Sequence, residues 1–200
     1  MRLWGENMIK TTAMILDELK SYGSPASKLS RMVKNGEYIK IVKGLYETNP
    51  STPGYLLAGS IYGPSYLSFE FALAYHGLIP EAVYTFTSAT YDKKKKKKFE
   101  TNFGTFTYRD VPKEAYFFGV DIVREGDYSF WIASPEKALC DELYTKGPVA
   151  NQKELQSLLF DDMRIDEQEF GNMNYNDIII LEERYHSTNI QKLSRFMRRI

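Results

Sequence analysis

The sequence predicts an α+β protein, and three observations lead to that class. Apolar residues recur at helical spacing in the first 80 residues and again after residue 134. Between these regions lie four alternating segments that are rich in Thr, Tyr, Phe and Val, which favours strands: 83–90, 103–109, 116–123 and 128–133. A breaker-rich stretch at 49–54 separates a short N-terminal unit from the rest. We therefore predict one domain over residues 1–49 and a second over residues 50–200.

The first predicted helix covers residues 8–20. Its apolar residues fall at helical spacing and predict a buried face made of Ile9, Ala13, Leu16 and Leu19. It is the only clear helix before the basic segment at 24–47, so a core of three helices would need another. Either residues 1–7 add a turn of helix, or the helix at 8–20 serves as two of the three.

Residues 24–47 predict a short helix followed at once by a tight hairpin. Ser24 suits an N-cap, and Pro25 suits the first helical position. The helix should end at Asn35-Gly36, because Gly tolerates the left-handed conformation there. Its apolar face is predicted from Ala26, Leu29, Met32 and Val33. Residues 38–42 are β-branched or aromatic, and Lys43-Gly44 offers a turn, so a hairpin follows.

Positive charge is concentrated on this segment. From Lys20 to Tyr46 there are six basic residues and one acidic residue. A helix beside a basic hairpin is the outline of a minimal winged helix-turn-helix, and its candidate DNA-binding residues are Ser27, Lys28, Ser30, Arg31, Lys34, Lys40 and Lys43. Basic helices and hairpins are also common on solvated surfaces, and a basic patch alone supplies only non-specific attraction to phosphates. The segment by itself leaves both interpretations open.

The overall composition is neutral, but the charge is unevenly distributed. The chain has 26 basic and 26 acidic residues, with a net charge of +3 over residues 1–50, +2 over 51–120 and −5 over 121–200. Such an asymmetry suits a protein that presents one end to nucleic acid. Cys140 is the only cysteine, which fits a reducing compartment. With no apolar run near the ~20 residues of a membrane span and no secretory pattern, we expect a cytoplasmic protein.

The region after residue 50 predicts a mixed domain with a small antiparallel sheet and a helical tail. Residues 83–90 are expected to pair antiparallel with 103–109. Between them lies a lysine run at 93–98, which indicates a solvated hairpin end or, alternatively, a projection that contacts phosphates. Ser134 and Pro135 begin a helix, and a helical tail from about residue 146 contains four further helices: 151–160, 166–172, 175–186 and 189–199.

The residues that could support catalysis are few and scattered. His76 and His186 are far apart, and one Cys with two His cannot form the usual structural zinc sites. Gly59-Ser60 is not followed by the paired carboxylates that a nucleotidyltransferase needs, and no Gly-rich phosphate loop is present. We therefore expect neither an enzyme nor a bound cofactor or metal. A nuclease or nucleotidyltransferase built from scattered carboxylates remains an alternative, with the candidates Glu70, Asp141 and Asp161.

Four blocks of the sequence are far more specific than the basic helix: 66–81 (YLSFEFALAYHGLIPE), 86–90 (FTSAT), 103–109 (FGTFTYR) and 132–141 (IASPEKALCD). In order and spacing they resemble the motif region of AbiEi-type antitoxins, the antitoxin half of type IV toxin–antitoxin systems. The resemblance covers roughly residues 8–145, and the helical tail matches only loosely.

The resemblance implies an N-terminal winged helix that binds double-stranded operator DNA upstream of its own operon and represses it. It places the recognition helix and wing on the seven DNA-binding candidates above, and a homodimer on the DNA is a possible form. It also implies a C-terminal domain that neutralises a nucleotidyltransferase-fold toxin without requiring a stable complex. The alternative is a toxin-independent transcriptional regulator whose second domain senses a ligand or dimerises.

Overall fold

The α+β class is confirmed in a computed structural model, which describes residues 8–199. Two sheets organise this part of the chain. One is a three-stranded antiparallel sheet in the N-terminal region, and the other is a six-stranded mixed sheet. Within residues 8–199, no helix combines the length and the apolar character that crossing a membrane requires.

The N-terminal region follows the order strand, helix, helix, hairpin. Its elements are β1 (Lys10–Thr11), α1 (Thr12–Glu18), α2 (Pro25–Lys34), β2 (Ile39–Val42) and β3 (Leu45–Glu47). Strand β3 lies between β1 and β2 and pairs antiparallel with both. Gly44 has a φ of +87° in the hairpin turn, a conformation that favours glycine. The predicted hairpin and its turn are confirmed.

The predicted helix over residues 8–20 is shorter than expected. Helix α1 begins only at Thr12, because Lys10 and Thr11 pair with β3 in the sheet. Its buried residue is Ile15, followed by Leu19 at the helix end, whereas Ala13 is exposed. The predicted buried face is therefore wrong in part. The alternative that residues 1–7 add a turn lies outside the described residues.

Helix α2 matches its predicted bounds closely. It begins at Pro25, and Ser24 occupies the N-cap position without a side-chain bond to the helix backbone. Leu29 is buried and Ala26 is exposed, so the apolar face is narrower than predicted. The half-buried Met32 and Val33 pack beside Leu29.

The second region is built on the six-stranded sheet, whose order is β6-β7-β5-β4-β9-β8. Its strands are β4 (Tyr66–Leu67), β5 (Thr85–Thr90), β6 (Lys97–Thr101), β7 (Gly104–Asp110), β8 (Val120–Glu125) and β9 (Tyr128–Ala133). The pairs β5–β7 and β4–β9 are parallel, and the other neighbours are antiparallel.

Helices surround this sheet and form the C-terminal part. A 3-10 turn at Gly54–Leu57 leads into α3 (Ala58–Ile61), followed by α4 (Phe69–Tyr75), α5 (Lys113–Tyr116) and α6 (Pro135–Thr145). The tail contains α7 (Gln152–Gln156), a π-helical segment at Ser157–Asp162, α8 (Glu167–Gly171), α9 (Tyr175–Tyr185) and α10 (Thr188–Met197). Helix α6 packs against α4, α9 and α10. The helical tail is confirmed.

The prediction of a small antiparallel sheet in the second region is wrong in two respects: the sheet has six strands, and some of them pair in parallel. Strands β5 and β7 are parallel, with Thr87 opposite Thr107. The reason is that the segment between them contains β6, which forms the antiparallel hairpin with β7 instead. Lys97 and Lys98 of the lysine run therefore lie in a strand rather than in a turn. The predicted strand at 116–123 starts as the end of α5, and β8 begins only at Val120.

The N-terminal hairpin belongs to two cores. Ile15, Leu19, Leu29 and Tyr38 form a small cluster between α1, α2 and the start of the hairpin. Ile41 and Leu45, from β2 and β3, are buried in the large cluster that includes the six-stranded sheet and the helices. The hairpin thus packs on both sides and joins the two regions.

Candidate nucleic-acid interface

The exposed face of α2 presents four of the predicted DNA-binding side chains. Ser27, Ser30, Arg31 and Lys34 are all exposed, because the buried Leu29 orients the opposite face of the helix toward the small core. The Ser30 hydroxyl donates to the carbonyl of Ala26 at 3.1 Å. Serines and cations at positions i, i+3, i+4 and i+7 therefore share one solvated face.

The cations of α2 differ in their surroundings. Neither Arg31 nor Lys34 forms an ion pair with any residue between 8 and 199. Lys28 is half-buried, and its ammonium lies 5.3 Å from the centre of the Tyr22 ring. Arg31 and Lys34 are thus the cations of α2 that are most available to an outside anion.

The hairpin adds two exposed cations. Lys40 lies on β2 opposite Tyr46, and Lys43 lies in the turn beside Gly44. Strand β2 runs next to β6, the strand that carries the end of the lysine run. The predicted wing and the lysine run are therefore neighbours, although they are about 55 residues apart in sequence.

The lysine run divides into tethered and free side chains. The Lys93 ammonium donates to the Gly63 carbonyl at 3.0 Å, and Lys98 pairs with Glu100 at 2.7 Å. The exposed side chains from Lys94 to Lys97 form no ion pair with residues 8–199. Strand β6 is also an edge of the sheet, where lysines discourage pairing with another chain. That role explains charge on the strand, but not the four lysines before it, 93–96.

A buried carboxylate fixes the hairpin to the second region. Glu47 at the end of β3 is fully buried, and its Oε1 accepts from the backbone N–H groups of Thr48 and Asn49 at 2.7 and 3.0 Å. The Tyr128 hydroxyl at the start of β9 donates to Glu47 Oε2 at 2.8 Å. Burial raises the pKa of Tyr128 to about 12, and the Glu47 carboxylate adds to that shift. The predicted boundary at 49–54 thus follows directly on a buried hydrogen-bond network.

Sequence reasoning missed a buried group of charged and hydroxyl side chains. We call it the interior cluster, and its members are Tyr66, Ser68, Lys137, Asp141 and Tyr185. The Lys137 ammonium lies 2.7 Å from Asp141 Oδ1, and both residues are fully buried. Tyr66 and Ser68 donate to Asp141 Oδ2 at 3.0 and 2.5 Å. The Tyr185 hydroxyl accepts from Lys137 and donates to Asp141. Each charge is therefore satisfied inside the protein.

Burial shifts the proton affinities of this cluster. It lowers the pKa of Lys137, which the nearby Asp141 carboxylate opposes. Burial also raises the pKa of Tyr66 and Tyr185 well above the usual value of a phenol. Because no more than 3% of any member is exposed, a substrate cannot reach these groups in this conformation. The arrangement holds β4, α6 and α9 together.

One sequence signal for this cluster is the i, i+4 spacing of Lys137 and Asp141. That spacing usually indicates a surface ion pair on a helix. The neighbours Ala138, Leu139 and Cys140 are apolar, which could have indicated burial. Tyr66 and Ser68 lie about 70 residues away in sequence, so their contribution was invisible before the fold was known.

The scattered carboxylates of the enzyme alternative lie in three different settings. Asp141 belongs to the interior cluster, Glu70 forms an ion pair with Arg109, and Asp161 is exposed in the π-helical segment. Arg109 also lies 3.8 Å from the buried Glu142, and burial raises the pKa of that carboxyl, with Glu70 adding to the shift. Among residues 8–199, no group of three or more His, Cys, Asp or Glu side chains is arranged to hold a metal ion.

Comparisons with known proteins leave the family resemblance as an expectation from the sequence. No protein-family model matches the chain, and no curated protein matches it.

Proposed function

We propose that this protein is a DNA-binding transcriptional regulator whose N-terminal region is a winged helix. The observation that carries the proposal is the order strand, helix, helix, hairpin, together with Arg31 and Lys34 of α2, which are exposed and form no ion pair within residues 8–199. In winged-helix domains the same order of elements comes after an initial helix. The second helix of the helix-turn-helix then enters the major groove. Helix α2 is then the recognition helix, and the β2–β3 hairpin is the wing.

The roles of the side chains follow from their chemistry. Arg31 has a guanidinium that can donate two hydrogen bonds to a guanine edge. Ser27 and Ser30 are short hydroxyls on the same face, suited to base or phosphate contacts. Lys28, Lys34, Lys40 and Lys43 supply phosphate contacts, which set position on the duplex without reading its sequence. The free lysines beside the wing extend this basic surface.

We further propose the role of antitoxin and autorepressor, acting against a nucleotidyltransferase-fold toxin encoded alongside. The support is the resemblance of the four sequence blocks to AbiEi-type antitoxins. Tyr66, Ser68, Lys137 and Asp141 come from these blocks and lie in the interior cluster. The surface that opposes the toxin must therefore consist of other, exposed residues.

DNA binding is tested by fluorescence anisotropy with a duplex from the upstream region of the gene and a scrambled duplex of equal length. We expect Arg31→Ala to weaken the free energy of binding to the upstream duplex by about 1–3 kcal/mol and to relax specificity at one base position. Lys34→Ala should weaken binding to both duplexes alike. It should also reduce the salt slope, which is the slope of log K against log salt concentration, by about 1. The matched control is Lys153→Ala, an exposed lysine of α7. Equal affinity for both duplexes, unaffected by either change, would contradict the proposal.

The antitoxin role is tested separately by expressing the neighbouring reading frame with and without this protein. Growth arrest that is relieved by co-expression supports the role. Relief should persist in Arg31→Ala if antitoxicity resides in the second region. A neighbouring frame that encodes no nucleotidyltransferase and has no effect on growth would favour the toxin-independent regulator.

A further inference from the structure

A cavity of about 450 Å³ opens between α3 and the strands β8 and β9, and none of the seven DNA-binding candidates lines it. Five of the twelve described residues that line it are aromatic: Tyr66, Tyr116, Phe117, Phe130 and Trp131. Phe117 and Trp131 are 72% and 51% exposed, so two rings stand at the surface beside the cavity. Cavities of this size are typical of small-molecule sites.

One polar group in the cavity wall has no hydrogen-bond partner among the described residues. Ser65 is only 8% exposed, and its hydroxyl forms no hydrogen bond with any described residue. Buried hydroxyls are almost always hydrogen-bonded, so an orphan that lines a cavity indicates a missing partner. Ser60 and Ser129 also line the cavity and add hydroxyl groups.

The absence of charged side chains among the described wall residues limits what the cavity can bind. Among the described residues that line it, none carries a charged side chain. A small inorganic ion would lose its hydration there without a compensating charge, which disfavours such ions. Aromatic walls instead favour a planar ring, which stacks or packs edge to face.

We propose that this cavity binds a small, uncharged aromatic molecule whose polar group forms a hydrogen bond with the Ser65 hydroxyl. The binding itself is independent of the proposed DNA-binding function. Its position does suit an effector site, because Ser129 of the wall is adjacent to Tyr128, which holds Glu47 at the base of the wing. This regulatory role rests on the proposed function and is tested separately.

The probe is N-phenyl-1-naphthylamine, a neutral aromatic amine whose fluorescence rises in an apolar site. Gly59 provides a blocking variant, because it lines the cavity and a Cβ built there meets no atom within 4 Å. The side chain of Gly59→Leu would fill that space, and leucine also favours the helix at this position in α3. Gly171→Leu is the matched control, since Gly171 also has open space and lies in helix α8.

We expect saturable one-to-one binding of the probe to the unmodified protein and to Gly171→Leu. Gly59→Leu should weaken binding at least tenfold, and Ser65→Ala should weaken it several-fold without lowering the melting temperature, because the Ser65 hydroxyl has no hydrogen bond within the described protein. Absence of saturable binding to the unmodified protein overturns the proposal. Equal binding by Gly59→Leu overturns it too, provided that the melting curve shows a folded variant.

The regulatory role is measured by repeating the DNA titration with the probe present. A change in DNA affinity that disappears in Gly59→Leu supports an effector site. Unchanged DNA affinity with the probe bound refutes the regulatory role and leaves the binding site standing. If the protein binds no DNA at all, the proposed function fails while the probe titration still decides whether the cavity is a site.

Discussion

The basic face of α2 and the interior cluster use charge in opposite ways. On α2, Arg31 and Lys34 are exposed and form no ion pair within residues 8–199. In the interior cluster, Lys137 and Asp141 are fully buried, and each finds its partners inside the protein. A cation without an internal partner stays available to an outside anion. A buried pair is already committed to the fold, and exposing it would break the hydrogen bonds that hold it.

The difference also sets what a mutation should change. Removing an exposed charge alters binding and leaves stability almost unchanged. Removing one member of a buried pair leaves an unpaired charge in a medium of low polarity, which is strongly unfavourable. Stability and binding measurements on the same variants therefore separate the two groups of charges.

The largest expected effect comes from Asp141→Ala. This change leaves the Lys137 ammonium buried without its carboxylate and removes the acceptor for Tyr66 and Ser68. We expect the free energy of unfolding to fall by about 3–5 kcal/mol, measured by urea denaturation. The double variant Lys137→Met with Asp141→Leu is the control. It should be more stable than Asp141→Ala, because it leaves no unpaired charge.

A smaller, graded effect is expected at alkaline pH. The pKa of Tyr55 and of Tyr128 is raised to about 12, and burial raises the pKa of Tyr66 and of Tyr185 well above the usual value of a phenol. Above pH 10 the unfolded chain loses phenol protons that the folded protein keeps, so the unfolded state binds fewer protons and stability falls as pH rises. Each fully buried phenol contributes up to about 1.4 kcal/mol per pH unit. Urea denaturation at pH 9 and 11 measures this slope, and equal stability at both values would contradict it.

The smallest effect on stability is expected from the free lysines of the run. Replacing residues 94–97 with glutamine should change the free energy of unfolding by no more than about 0.5 kcal/mol, because they are exposed and unpaired within residues 8–199. If they bind phosphates, the salt slope of DNA binding falls by about 0.9 for each phosphate that is no longer neutralised. The matched control Lys153→Gln should leave the slope unchanged. An unchanged slope in the lysine variant would exclude phosphate contacts by these four lysines.

Signals from neighbouring residues predicted most helices and turns well. They did not predict which distant segments pair as strands. The bounds of α2, the turn at Gly44 and the capped start of α6 follow from neighbouring residues alone, because capping and glycine conformation are local properties. The parallel pairing of β5 with β7 depends on where β6 pairs, which no local pattern specifies. The two-residue strands β1 and β4 are too short to give an alternating pattern, so both were missed.

The candidate site shows the same division. The exposure of Ser27, Arg31 and Lys34 could be predicted from helical spacing, because the opposite face had to be buried. The approach of β2 to β6 could not, since it depends on how the two regions pack. The Ser65 cavity and the interior cluster are made by segments that are distant in sequence, so only the fold shows that these side chains lie together.

The hairpin that belongs to both cores has a consequence for how the chain melts. Ile41 and Leu45 are buried in the large core, and Glu47 is bonded to Tyr128, so the N-terminal region cannot separate without exposing apolar surface and an unpaired carboxylate. The two regions should therefore unfold in a single cooperative transition rather than in two steps. A fragment ending at residue 49 would leave Ile41 and Leu45 of its wing without the large core against which they pack.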